Sequence, residues 1–193
     1  EGEIVFPQEP LLRIHGGLIE AQIIEGLVLN TINFQSLIAT KSARVAMATK
    51  GKPVMEFGLR RAQGFDGAMS ASRAAFIGGA ASTSNTLAAK ELGVPAMGTM
   101  AHSWVMAFPT EKESFEAYAE LYPDTTTFLI DTFDTLESGL PNAIEVGKRL
   151  AAEGRRFGVR LDSGDIDYTS RKVRATLDAS NLTNALVAVS KEP

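Results

Sequence analysis

A repeating pattern constrains this chain more than any other feature: a short apolar run ends in polar residues, and a helical segment follows. The apolar runs span 54–58, 94–99, 127–130, 157–161 and 185–189. The segments with helical spacing between and around them are 68–77, 83–92, 111–121, 138–153 and 168–178. Strands that alternate with helices in this way indicate parallel β/α units. The pattern therefore predicts an α/β fold with polar side chains at the carboxyl ends of parallel strands.

The number of these units is too small for a closed eight-fold barrel, which typically takes about 250 residues. The chain has 193 residues, so we expect an incomplete (β/α) barrel over 51–193. Segment 1–50 is predicted to hold short strands at 4–6 and 11–15, then a long helical stretch with a break near 31–36. The first residue is not Met and lies next to a predicted strand, so we expect a piece of a larger chain.

Composition argues against several classes of protein. The 19 basic and 23 acidic residues give a net charge of −4 without a basic run, which predicts neither a nucleic-acid partner nor a membrane surface. Cysteine is absent, which excludes a disulfide framework and thiolate chemistry. No uninterrupted apolar run reaches the ~18 residues that span a bilayer. We expect a cytoplasmic protein.

His102 is the most informative candidate for chemistry. It follows the predicted strand 94–99 at an expected helix start, where an imidazole can act as base, metal ligand or nucleophile. The alternative is a histidine whose ring is satisfied by backbone groups near a helix end. The other histidine, His15, has no comparable neighbours and is interpreted as a strand or surface residue.

Arg160 and Asp162 share one face of the predicted strand 157–161, because they alternate with apolar residues. Such a pair can bind anions and hydroxyl groups, and Ser163 and Gly164 offer backbone N–H groups to an anion. The alternative is a structural ion pair beside a helix cap.

Two further strand ends carry polar candidates. Asp131 and Asp134 follow strand 127–130, and paired carboxylates suit a divalent cation or ribose hydroxyls, although one of them could instead cap a helix. Phe57 and Arg60 follow strand 54–58, where an aromatic ring can stack on a flat heterocycle and a guanidinium can bind a carboxylate or phosphate. The alternative is a core phenylalanine and a solvated arginine.

The order of the motifs resembles the nicotinate phosphoribosyltransferase family. The matching motifs lie at 56–64, 66–67, 78–79, 83–85, 98–104, 129–132 and 160–165, within a likeness that extends over about 4–178. The stretch 180–184 departs from the family's pattern. The resemblance implies a barrel of the type II phosphoribosyltransferases and a homodimer with its site near the subunit interface.

The resemblance also implies a reaction in NAD biosynthesis. Nicotinate and phosphoribosyl pyrophosphate would give nicotinate mononucleotide and pyrophosphate, with Mg²⁺ required and ATP as a co-substrate that is hydrolysed through a phosphohistidine. Three alternatives remain open: a nicotinamide phosphoribosyltransferase, a non-catalytic structural fragment, and an unrelated β/α-barrel lyase or isomerase.

Individual roles follow from the same resemblance. His102 would accept the phosphate, and Phe57 would stack on the pyridine ring. Asp162, with Asp131 as the weaker candidate, would bind ribose hydroxyls or Mg²⁺-pyrophosphate. The other expected substrate-binding residues are Arg60, Asn85, Thr99, Ser103, Arg160, Ser163 and Gly164.

Overall fold

The computed structural model describes residues 2–190. It divides into two compact units, Glu1–Gly98 and Thr99–Pro193, and each unit contains its own parallel sheet. The division predicted from the sequence, 1–50 and 51–193, stays a prediction. Parallel strands alternate with helices in both units, so the predicted α/β class is confirmed.

The first unit opens with a segment that contains no strand over its described residues, 2–17. The predicted strands at 4–6 and 11–15 are therefore wrong. Their residues are exposed and no neighbouring segment pairs with them, whereas a strand needs a hydrogen-bonded partner. An N-terminal strand is not part of the fold in the described residues.

Helix α1, Leu18–Ala48, runs for 31 residues without a break. The break predicted at 31–36 is wrong, because the polar side chains there fit inside the helix. Thr31 Oγ1, for example, donates to the Leu27 carbonyl oxygen at 2.8 Å, one turn earlier. Helix α1 is long and apolar enough to cross a membrane. Buried core helices and signal sequences meet the same criteria, so its length and composition are only weak evidence for a membrane span.

Helix α1 packs against helix α2, Gly64–Ile77. Ser42 Oγ donates to the Ala75 carbonyl oxygen at 2.7 Å and joins the two helices. At Gly78, directly after α2, the backbone approaches α1 closely: a Cβ on Gly78 would lie 2.3 Å from the Ala39 carbonyl oxygen. Glycine is therefore required at 78 by close packing.

The sheet of the first unit is small. Strands β1, Met55–Glu56, and β2, Ser82–Thr83, pair in parallel, with Glu56 opposite Thr83. A 3₁₀ turn, Leu59–Arg61, follows β1, and helix α3, Thr86–Leu92, follows β2. Strand β2 includes the first residue of the segment 83–92, which the sequence predicted as helical. The predicted strand at 94–99 is reduced to one bridge, in which Ala96 pairs with Thr83.

The second unit has a three-stranded parallel sheet with the order β3-β4-β5, formed by Thr127–Leu129, Gly158–Leu161 and Leu186–Val189. Strand β4 is central and buried along its whole length. The helices of this unit are α4 His102–Met106, α5 Glu111–Leu121, α6 Leu140–Ala152 and α7 Ile166–Ala179, with a π-helical turn at Thr135–Gly139.

The core of this unit lies between sheet and helices. Phe128 of β3, Val159 and Leu161 of β4, and Phe115 of α5 are fully buried in one apolar cluster. Burial of aromatic and branched side chains on this scale supplies the main favourable free energy of folding. The core therefore holds the strands in register and aligns their carboxyl ends.

The divergent stretch 180–184 directly follows helix α7 and begins with its C-cap, Ser180. Asn181 adopts a left-handed conformation, with φ of 62°. Its N–H donates to the Asp178 carbonyl, and the Leu182 N–H donates to the Leu177 carbonyl at 2.9 Å. This is a Schellman motif, in which Leu182 also packs in the core near Leu177. The stretch thus ends α7 and leads into β5.

Candidate functional site

The candidate site lies at the carboxyl ends of the strands of the second unit. Asp131 follows β3, Asp162 follows β4 and Ser190 follows β5. Parallel strands end at the same edge of a sheet, so these side chains converge. His102 joins them from the first residue of α4.

The ring of His102 lies among these side chains. Its Nε2 is 3.6 Å from Asp162 Oδ2 and 3.9 Å from Asp131 Oδ1. Its Nδ1 is 3.1 Å from the Thr132 hydroxyl oxygen. Ala101, and not His102, is the N-cap of α4. The His102 side chain is 37% exposed. The ring is therefore accessible and lies between a hydroxyl and two carboxylates.

Arg160 holds three side chains of the site in place through hydrogen bonds. Its guanidinium donates to Asp162 Oδ1 at 2.9 Å, to Thr99 Oγ1 at 2.8 Å and to Ser190 Oγ at 2.8 Å. The residue is buried, and a buried cation is tolerated only when it is paired and hydrogen-bonded. The structural ion pair considered for Arg160 and Asp162 is thus present, and it forms part of the candidate site.

Asp162 is held as an anion. Burial by itself would raise its pKa, but the hydrogen bond from Ser190, the charge and hydrogen bond of Arg160, and the nearby His102 together hold the pKa below 3.8. Ser190 Oγ donates to Asp162 Oδ1, the same oxygen that Arg160 binds. Oδ2 is thereby left to face His102.

Asp131 connects two strand ends. Its Oδ2 accepts from the Asp162 N–H at 2.8 Å and from Ser163 Oγ at 2.6 Å. Its Oδ1 is buried and has no hydrogen-bond partner among the described residues. A buried carboxylate oxygen without a partner is unusual and suits a ligand hydroxyl or a cation.

The two carboxylates of the site, Asp131 and Asp162, are candidates for holding the Mg²⁺ that the resemblance implies. Residues 2–190 contain no group of three or more histidine or acidic side chains arranged to hold a metal ion. Mg²⁺ often binds through one or two carboxylates while substrate phosphates and water complete its coordination. Asp131, with its unpartnered oxygen, and Asp162 fit that mode, and do not form a complete protein cage.

Asp134 lies outside this cluster. Its Oδ1 accepts from the backbone N–H groups of Leu136 and Glu137, at 3.0 and 2.8 Å. Asp134 therefore caps the π-helical turn. The sequence analysis had left helix capping open as the alternative to a cation site formed by Asp131 and Asp134. Asp165 in the same way caps α7 through the Tyr168 N–H.

The remaining predicted residues of the second unit are more exposed. Ser163 and Gly164 form the turn after β4, and Gly164 has a φ of +73°, which favours glycine. Ser103 is exposed in the first turn of α4. Thr99 accepts from Arg160 and donates to the Met100 carbonyl at 3.1 Å.

Three predicted residues belong to the first unit. Phe57 is half-buried and precedes the 3₁₀ turn after β1. Arg60 is exposed and lies within that turn. Asn85 is buried: its side-chain oxygen caps α3 through the Ala88 N–H, and its amide donates to Ser72 Oγ at 3.3 Å.

The sequence analysis did not identify Ser190 or the role of Thr132. Ser190 is the first polar residue after the run 185–189, so the pattern that pointed to Asp131 and Asp162 also pointed to it. Thr132 lies within the motif 129–132, but only the fold shows its contact with His102.

The comparisons with known proteins bear on these residues. The model of the nicotinate phosphoribosyltransferase (NAPRTase) family matches residues 53–185. The chain belongs to the nicotinate phosphoribosyltransferase family. The match includes the family's motifs in both units and every predicted site residue.

Curated relatives agree with this family assignment. The chain is 49% identical over 193 residues to the nicotinate phosphoribosyltransferase pncB2 of Mycobacterium tuberculosis, covering 98% of this chain and 41% of the relative. It is 47% identical over 192 residues to the nicotinate phosphoribosyltransferase of Bacillus subtilis, covering 100% of this chain and 39% of the relative. The chain thus spans about two-fifths of the length of these relatives.

Solved structures extend the likeness to the fold. The crystal structure of human nicotinic acid phosphoribosyltransferase matches with a TM-score of 0.88 and 33% identity, covering 98% of this chain and 49% of that chain. A nicotinate-nucleotide pyrophosphorylase from Pyrococcus furiosus matches with a TM-score of 0.73 and 29% identity, covering 83% of this chain and 41% of that chain.

Proposed function

We propose that the complete enzyme carrying this sequence transfers the phosphoribosyl group of phosphoribosyl pyrophosphate to nicotinate, in NAD biosynthesis. The ring nitrogen of nicotinate forms a bond to C1 of the ribose, and the bond from C1 to the pyrophosphate oxygen breaks with its electrons leaving on pyrophosphate. Family membership and the names of the relatives support this reaction. The observation that carries it is the accessible His102 ring beside two carboxylates at the strand ends.

The proposal includes a barrel of the type II phosphoribosyltransferase kind for the complete enzyme. Within each sheet the strands are parallel, and strands β1 to β4 are each followed by a helix, as in the βα units of such barrels. The likeness to the two solved structures supports the same architecture. The proposal also includes a homodimer, which is supported by the family resemblance alone.

His102 is the proposed phosphate acceptor. Bond formation from an imidazole nitrogen to the γ-phosphorus of ATP, with cleavage of the bond from phosphorus to ADP, gives phosphohistidine and ADP. Hydrolysis of phosphohistidine then returns the free imidazole and phosphate. A neutral imidazole is a competent nucleophile for such a step.

The geometry favours Nδ1 as the acceptor atom. Nε2 faces Asp131 and Asp162, whose charges favour a proton on Nε2 and oppose an approaching phosphate. At 4 Å and an effective dielectric constant of 20, one such pair of like charges is worth about 4 kcal/mol. Nδ1 then carries the lone pair and accepts a hydrogen bond from the Thr132 hydroxyl. This hydroxyl rotates away when phosphate binds.

Arg160 and the carboxylates prepare the phosphoribosyl site. Arg160 holds Thr99 and Asp162 in fixed orientations, so these side chains need little reorganisation when substrate binds. Asp131 and Asp162 are the residues that would hold Mg²⁺. When bound, Mg²⁺ supplies positive charge to the leaving pyrophosphate. The exposed Ser163 and Gly164 offer polar groups to the ribose or its phosphate.

The first unit supplies the groups proposed for nicotinate. Phe57 stacks on the pyridine ring, and Arg60 binds a carboxylate. A carboxylate requires a cation and an amide does not, so Arg60 favours nicotinate over nicotinamide. Competition between the acid and the amide distinguishes this enzyme from a nicotinamide phosphoribosyltransferase.

The experiment compares His102→Ala with His15→Ala in the complete enzyme. We expect His102→Ala to abolish stimulation by ATP and labelling by γ-³²P ATP, while His15→Ala, an exposed control, behaves as the wild type. If the His102→Ala enzyme still hydrolysed ATP in step with nucleotide formation, the proposed role would be wrong.

A further inference from the structure

A polar network that includes buried groups lies at the carboxyl end of the small sheet in the first unit. Glu56, the last residue of β1, accepts through Oε2 from Thr83 Oγ1 at 2.6 Å and from Ser72 Oγ at 3.1 Å. Thr83 and Ser72 are buried. Asn85 joins the same network, because its N–H donates to Thr83 Oγ1 at 3.0 Å and its amide donates to Ser72.

The other oxygen of Glu56 reaches the turn that follows β1. Oε1 accepts from the backbone N–H of Gly58. The Gly58 carbonyl in turn accepts from the Arg61 N–H at 2.9 Å, which closes the 3₁₀ turn that includes Arg60. One carboxylate therefore connects the turn to helix α2 and strand β2.

Gly58 lies close to the carboxylate of Glu56. A Cβ placed on Gly58 would lie 2.8 Å from Glu56 Oε1, which is closer than real Cβ atoms approach an oxygen. Its φ is −79°, so left-handed backbone does not explain the glycine. An alanine at 58 would displace the flexible end of the Glu56 side chain from this contact and leave the backbone in place.

We infer that Glu56 is a positioning residue for nicotinate: it fixes the turn that presents Phe57 and Arg60 to the pyridine ring and its carboxylate. This inference rests on the proposed function. Glu56 itself does not contact nicotinate and acts through Phe57 and Arg60, the two residues proposed to bind it. A displacement of such groups by about 1 Å can lower catalysis by up to about 100-fold.

The test uses two substitutions in the complete enzyme. Glu56→Gln removes the charge and one acceptor of the network, and Gly58→Ala displaces the carboxylate without removing it. Because Gly58 is exposed and has ordinary dihedral angles, Gly58→Ala keeps the fold even if Glu56→Gln weakens it. The matched controls are Glu91→Gln, an exposed glutamate of α3, and Gly16→Ala, whose Cβ would meet nothing within 4 Å.

We expect both substitutions to raise the KM for nicotinate by about tenfold or more, while the KM for phosphoribosyl pyrophosphate stays near that of the controls. Selectivity for nicotinate over nicotinamide should fall in parallel. A nicotinate KM within about twofold of the controls would overturn the inference. A uniform loss of activity that follows a loss of thermal stability would overturn it as well, because it indicates a structural role only.

Hydrogen exchange separates this inference from the proposed function. The Gly58 amide should be protected in the wild type and should exchange faster in Glu56→Gln. If the wild type formed no nicotinate mononucleotide, the proposed function would fail, and the positioning of Phe57 and Arg60 for nicotinate would fail with it. If activity were present and the Gly58 amide were unprotected, only the role of Glu56 would fail.

Discussion

Ser190→Ala should destabilise the protein in a pH-dependent manner. The substitution removes the hydroxyl that donates to Asp162 and accepts from Arg160 Nε at 2.8 Å. Hydrogen bonds to charged groups contribute about 1.5–3 kcal/mol each. The Asp162 side chain is 23% exposed, so water replaces part of the loss, and we expect about 2 kcal/mol of destabilisation at pH 7.

The pH dependence follows from the carboxyl group of Asp162. Its folded pKa is held below the ordinary 3.8, and the Ser190 hydrogen bond is the largest of the favourable contributions after the opposing effect of burial. A depressed folded pKa contributes stability that is present above the unfolded value and is lost as pH falls through the folded value. The difference between wild type and Ser190→Ala should therefore shrink below pH 4.

Urea denaturation at pH values from 7 to 3 measures this difference. Ser190→Thr is the control, because it keeps the hydroxyl and should recover most of the stability at pH 7. Equal stability of Ser190→Ala and wild type at pH 7 would refute the reasoning, since the hydroxyl would then contribute nothing. A destabilisation that is the same at every pH would refute the charge-assisted part of it.

Substitutions at three further positions test the fold of the second unit. Gly147→Ala should destabilise by about 1–3 kcal/mol, measured as a lower Tm, because its Cβ would lie 2.3 Å from the Phe157 ring; an unchanged Tm would contradict this packing. Asp134→Ala should cost about 1 kcal/mol as a lost cap and leave the KM for phosphoribosyl pyrophosphate unchanged, whereas a large rise in that KM would restore a binding role. Asn181→Gly should be at least as stable as the wild type in urea and Asn181→Val clearly less so, since the position is left-handed; the reverse order would argue against the Schellman motif.

The regular elements of the second unit were predictable because their signals are local. Helices α5, α6 and α7 carry apolar residues at helical spacing, and the predicted helices overlap each of them within two residues at either end. Strands β3, β4 and β5 are short apolar runs followed by polar residues, and all three are present. Burial of one helix face and of the central strand produces the same periodicity in sequence.

The first unit was predicted less well because its strands depend on distant partners. The apolar runs at 4–6 and 11–15 have the composition of strands, but no neighbouring segment pairs with them. The run at 94–99 reduces to one bridge, while Ser82 and Thr83, two small polar residues, form a strand because Met55 and Glu56 lie beside them. A strand forms only beside a partner strand. A partner that is distant in the sequence cannot be recognised from the local residues.

The amino-acid sequence by itself determined the α/β class, the family motifs and the types of residue at the strand ends, because periodicity and motif order are written along the chain. Only the tertiary structure decided which of those residues work together. It placed His102 between Thr132 and two carboxylates, added Ser190, and assigned Asp134 to a helix cap. The physical reason is that hydrogen bonds and charge pairs form between groups that are adjacent in space, and residues 30 or more positions apart become adjacent only when the core packs.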